Sequence, residues 1–153
     1  MDPKFRAWDN RFSEFVEDFF VSKDGKIYKI SKDTGYGFAI SRETSDKVIL
    51  MQSTGLKDKN GKEIFEGDLI KTSSAVCLVD FGEYTYLEDD ETEITAIGFY
   101  LAFLNTHPVS CCPFESLFWT GCEVIGNIHE NELDLLMYEA WKFNKEMSDD
   151  TKI

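Results

Sequence analysis

The chain has 153 residues, with 16 Lys and Arg against 29 Asp and Glu, a formal net charge of −13. Its 42% hydrophobic and 14% aromatic content excludes a disordered chain. It fits one domain, or a domain with an appendage, able to bury a core without disulfides or a metal. The acidic balance disfavours direct binding to nucleic acid, which needs cations to displace counterions.

In chain order, Lys4 to Trp8 reads as a short strand. Residues 11–21 support two readings. Phe12, Phe15, Phe19 and Phe20 fall at helical spacing, while Phe15-Val16 and Phe19-Phe20-Val21 are the aromatic and β-branched types that favour strands. Lys23-Asp24-Gly25-Lys26 predicts a turn that pairs Val21 with Ile27 to Ile30, and Asp33-Thr34-Gly35 a second turn. Tyr36 to Ser41 and Lys47 to Gln52 are strand-like. Asp58-Lys59-Asn60-Gly61 lies between apolar runs and predicts a β-hairpin. It is no EF-hand, since Gly61 stands at loop position 4 and Leu69 at position 12, where Gly at 6 and Glu at 12 are required. Gly67-Asp68 predicts a tight bend before the strands Leu69 to Thr72 and Ala75 to Phe81.

Gly82 to Glu93 reads as an acidic connection to a buried strand over Thr95 to Leu104, and Asn105 to Pro113 as a loop. Leu117-Phe118-Trp119 and Cys122 to Ile128 are the last strands. From Asn131 the pattern changes: Asn131 can cap a helix N-terminus, and Leu133, Leu136, Met137, Ala140 and Trp141 follow helical spacing. A C-terminal helix is predicted over about 131–147, then a frayed tail, 148–153.

Three ordered blocks carry a family resemblance: Lys4-Phe5-Arg6-Ala7-Trp8-Asp9, then Thr54-Gly55-Leu56 through Asp58, Gly61 and Ile64-Phe65-Glu66-Gly67-Asp68-Leu69-Ile70, then Glu123-Val124-Ile125-Gly126-Asn127-Ile128-His129-Glu130-Asn131. Together they resemble the YopX family of phage and prophage proteins. The resemblance implies a mainly β fold, an SH3-like, partly open small barrel with additional strands. The β domain would span 1–130, with its barrel core about 47–128. It also implies structural roles for Trp8, Gly55, Asp58, Gly61, Gly67, Asp68 and Gly126, a phage or prophage origin, and no catalytic residues.

The densest charge cluster is Glu88, Asp89, Asp90, Glu91 and Glu93, with Tyr84 and Tyr86 beside it. It reads either as a docking surface for a Lys/Arg-rich protein, imitating the phosphate row of DNA, or as a solvated hairpin tip. His107, Cys111, Cys112, Cys122 and His129 are weak metal candidates, because adjacent cysteines cannot form the usual C-x₂-C knuckle and no second pair follows. The structural alternative puts Cys122 in the core and Cys111 and Cys112 in a loop. No G-x-S-x-G elbow and no phosphate-cradling glycine motif occurs. The helix face of Leu133, Leu136, Met137 and Trp141 either packs on the β domain or docks on another subunit.

With no apolar run of about 18 residues and no signal-peptide core at the N-terminus, the expected location is the cytoplasm of a bacterial host, with Cys77, Cys111, Cys112 and Cys122 reduced. The expected function is a non-enzymatic, protein-binding accessory module without a cofactor, in its sharpest form an acidic inhibitor of a host nucleic-acid-binding or defence protein. A self-assembling homo-oligomeric scaffold is the alternative, and a metal- or thiol-dependent enzyme the third reading.

Overall fold

The computed structural model of the chain describes residues 3–33, 35, 37–41, 43–73, 75–104, 106, 110–114 and 121–130. The chain divides into two compact units, residues 2–52 and residues 53–153, with the boundary inside a long strand. Both are built from strands, and no helix occurs among the described residues. The helix predicted over 131–147 and the strand at Leu117-Phe118-Trp119 lie outside them.

In the first unit, β1 (Phe5–Asp9) pairs antiparallel with β2 (Glu14–Val16) and with the first half of β6 (Val48–Lys57). A second set joins β3 (Phe19–Val21), β4 (Ile27–Asp33) and β5 (Gly37–Ile40). Residues 14–21 are thus strands. The phenylalanines follow helical spacing only because two short strands are separated by a two-residue break at Glu17-Asp18. Val21 pairs with Ile27 across the turn at 22–26, where Gly25 takes φ +80°. Ala7, Ile27 and Val48 form the core of this unit, with Val16, Phe19 and Leu50 against them.

In the second unit, the rest of β6 pairs with β7 (Glu63–Phe65), closing the hairpin at 58–61. A five-stranded sheet follows in the order β11-β10-β9-β8-β12, from β8 (Asp68–Lys71), β9 (Val76–Leu87), β10 (Glu93–Phe103), β11 (Cys111–Pro113) and β12 (Glu123–Asn127). Two expectations change here. The acidic connection shrinks to 88–92, because β9 runs to Leu87 and β10 begins at Glu93. Residues 111–113 are an edge strand, held by pairing with Tyr100 to Ala102, where a loop was expected.

Both faces of this sheet are buried at its base. Leu69, Leu78, Tyr84, Tyr100, Ala102, Leu104 and Ile128 form one cluster. Ile64, Ile70, Cys77, Val79, Leu101 and Cys122 form the other. Alternation in β9 delivers this directly, since Leu78 and its two neighbours Cys77 and Val79 point to opposite faces.

Candidate functional site

The family-motif residues act as staples. Asp58 is buried, and its Oδ1 accepts hydrogen bonds from the N–H groups of Asn60 and Lys62, both at 2.9 Å. Its Oδ2 accepts from Val124 N–H at 2.9 Å, tying the hairpin turn to β12 across 66 residues of sequence. Burial pushes the carboxyl up, but the N–H donors of Val124, Lys62 and Asn60 together outweigh it and hold the group below its ordinary value. Gly61, at φ +81°, donates to the Asp58 carbonyl and completes the turn. Asp68 is also buried and accepts from Phe65 N–H at 2.8 Å. Gly67, at φ +85°, donates to the Val79 carbonyl and accepts from Ile128 N–H. Asn127 lies opposite Asp68 and accepts from the N–H groups of His129 and Glu130. Gly126 follows a bulge opposite Leu69-Ile70, and Gly55, at φ +78°, donates to Ser53 Oγ. The motifs at 54–70 and 123–130 are therefore one hydrogen-bonded assembly.

In the first unit, Trp8 is buried and meets the Phe15 ring edge-on at 5.0 Å. Next to it, fully buried Asp9 is gripped by Arg11 through Nε at 3.1 Å and Nη2 at 2.8 Å, and by Lys29 Nζ. Arg11 above all, with Lys29 adding to it, holds this carboxyl well below the usual range against the opposing effect of burial. Arg11 and Lys29 both lie over the exposed Phe12 ring.

The acidic cluster caps the β9–β10 hairpin. Glu88, Asp89, Asp90, Glu91 and Glu93 are all exposed. Asp89 shapes the turn: its Oδ1 accepts from Glu91 N–H at 3.0 Å and Thr92 N–H at 2.7 Å, which lowers its carboxyl. The tyrosines are not displayed beside the acids. Tyr84 is buried and stacks on Tyr100 at 4.8 Å and on Tyr86 at 5.8 Å, and Tyr86 is partly buried. Tyr84 lies opposite Ala96, four residues from Tyr100 and about 13 Å away along an extended strand. Midway between, Gly82 and Gly98 stand opposite one another at φ +153° and +156°. Both strands thus bend at one level, which brings the rings together.

Sequence reasoning missed the outer face of this hairpin. Beyond the bend, Glu83–Leu87 and Glu93–Ile97 pair only with each other among the described residues. Phe81, Ile97 and Leu87 share one face and are 45%, 76% and 63% exposed. Their alternation with Tyr84 and Tyr86 was a period-2 signal hidden by the surrounding acids. Charge is also segregated. Residues 2–52 hold nine cations and nine anions, which leaves 7 of the 16 Lys and Arg, 20 of the 29 Asp and Glu, and the whole −13 in residues 53–153.

Cys111 and Cys112 are neighbours on β11 and serve opposite faces of the sheet, Cys111 against the Leu78 cluster and Cys112 against the Cys77 cluster. This corrects the expected loop and separates the two thiols. Cys77 and Cys122 are fully buried, and burial pushes the Cys77 thiol up to about 12. Among the described residues no group of three His, Cys, Asp or Glu is placed to hold a metal. His107, Leu133, Leu136, Met137 and Trp141 lie outside the described residues. No described helix is long and apolar enough to cross a membrane.

The chain is similar in structure to a protein from Enterococcus faecalis, EF1440, at 27% identity, covering 86% of this chain and 96% of that one, with a TM-score of 0.47. It is also similar to YopX from Bacillus subtilis at 18% identity, covering 84% and 94%, with a TM-score of 0.50, a likeness of fold. Among curated proteins none matches. The model of the YopX protein family matches residues 4–135, spanning all three motif blocks, and the chain belongs to that family.

Proposed function

We propose that the chain is a non-enzymatic accessory module, phage- or prophage-encoded and built on an SH3-like, partly open barrel, that binds a basic host protein through the acidic end of the β9–β10 hairpin. The observation that supports this reading is the segregation of charge: all of the −13 falls in residues 53–153, and four carboxylates crowd one exposed turn with Glu93 beside it. Such a surface steers a cationic partner and repels nucleic acid itself. Inhibition of a host nucleic-acid-binding or defence protein is the use that suits it.

The test replaces Glu88, Asp90, Glu91 and Glu93 with Gln or Asn and keeps Asp89, which forms the turn. Both proteins are used as bait in host lysate, washed at low and at high salt. Capture of a basic nucleic-acid-binding protein by the original chain at low salt, and not by the variant, supports the reading. Equal capture by both proteins at every salt concentration sinks it. Exposed charges are screened beyond about 10 Å at 0.1 M salt, so the wash separates charge from packing.

A further inference from the structure

We propose that the outer face of the β9–β10 ribbon is a ledge for one amphipathic, basic α-helix of the partner. This deepens the protein-binding reading and rests on it.

In this antiparallel pair Glu83 lies opposite Ile97 and Leu87 opposite Glu93, with Phe81 one step nearer the base. Residues directly opposite share a face. One face of the ribbon therefore shows Phe81, Ile97 and Leu87, each large, apolar and exposed, with an exposed carboxylate across from two of them and the hydrogen-bonded Thr85–Thr95 pair between the levels of Ile97 and Leu87. The other face carries buried Tyr84 and partly buried Tyr86 and Ala96. A sheet with one face on its core ordinarily shows polar side chains on the other. Here three apolar side chains stand on the solvent side, in register with acids.

The dimensions choose the occupant. Two strands are about 5 Å apart, so the ledge is one helix wide, a helix with side chains being about 10 Å across. Beyond the bend, the level of Ile97 to that of Leu87 spans four residues, about 13 Å, which matches about 9 residues of helix at 1.5 Å each. A sheet face is covered by a helix or another sheet, whereas an added strand would seek the edge. The charge sets the chemistry: the exposed acidic turn at the end of the ledge calls for Lys or Arg flanking an apolar stripe. A second copy of this chain brings the same −13 and is disfavoured.

The test uses the full chain and three synthetic 14-residue peptides: Leu and Lys at helical spacing, the same composition in strict alternation, and Leu and Glu at helical spacing. Binding is followed by fluorescence anisotropy. The helical Leu/Lys peptide is expected to bind, the other two to bind at least about tenfold more weakly. Ile97→Ser with Leu87→Ser should weaken it about tenfold while leaving the melting temperature unchanged. Equal affinity for the alternating peptide, or no loss in this double variant, overturns the ledge. So does a concentration-dependent dimer abolished by the same variant, which would give the face to a second copy. The two readings fail separately. If host-protein capture is lost with the turn acids and survives the apolar variant, the ledge alone is wrong. If neither variant changes capture, the protein-binding reading falls with it.

Discussion

The two units solve the same problem in different ways. Each buries an aspartate. Residues 2–52, with as many cations as anions, hold Asp9 with the side chains of Arg11 and Lys29. Residues 53–153 have 20 anions for 7 cations, and Asp58 is held by three backbone N–H groups. A unit short of cations can still bury a carboxylate if its turns supply donors, and those donors are part of the fold. The surfaces differ too. The neutral unit sets its exposed Phe12 against cations, and the acidic unit sets its exposed Ile97 and Leu87 opposite carboxylates.

The contrast is sharpest at the carboxylates. Asp58→Ala should cost about 3 kcal/mol in urea unfolding, because three N–H groups, of Asn60, Lys62 and Val124, lose their buried acceptor together. The loss should be nearly independent of salt. Asp9→Asn should cost about 1–3 kcal/mol at low salt and less at high salt, since Arg11 and Lys29 have 39% and 21% exposed side chains and are partly screened. Equal salt dependence of the two variants would erase the distinction drawn here.

Both aspartates have lowered carboxyl values in the folded chain. Their contribution is therefore complete above the unfolded value of about 3.9, and is lost as pH falls below it through the folded value. An acid titration of stability should be flat from neutral pH to about 5 at these two sites, then fall, with each Asn variant showing a shallower fall than the original.

At Gly82 or Gly98, alanine should cost about 1–2 kcal/mol. An added Cβ meets nothing within 4 Å, so the cost is the positive φ alone. The near-ultraviolet signal of the stacked tyrosines should weaken with it, and an unchanged spectrum would argue against the bend as the cause of stacking. The smallest effect is expected at Ile97→Ser, within about 0.5 kcal/mol of the original, because the side chain is exposed. A larger loss would mean that Ile97 packs against the chain itself.

Local chemistry was legible in the sequence. The turns at Lys23–Lys26 and Asp58–Gly61 depend on a short polar side chain and a glycine within four residues, and they stand where expected. The β class and the family follow from residue types and ordered motifs. Residues 14–21 could not be decided, because a pair of three-residue strands and one helix can leave the same phenylalanine spacing. The acidic turn was visible as composition, but its true length was not, since Glu83 to Leu87 are held in a strand by pairing with Glu93 to Ile97 across the turn, which composition does not show.

By itself, then, the sequence determined the strand-rich class, the tight turns, the family and the acidity, all of which depend on neighbours along the chain. Only the tertiary structure decided that Asp58 reaches Val124, that Cys111 and Cys112 serve opposite faces, that Tyr84 is core, and that Phe81, Ile97 and Leu87 line one open face. Each of these depends on strand register, and register is set by which distant strands pair, so a shift of one residue would turn every one of those side chains to the other side.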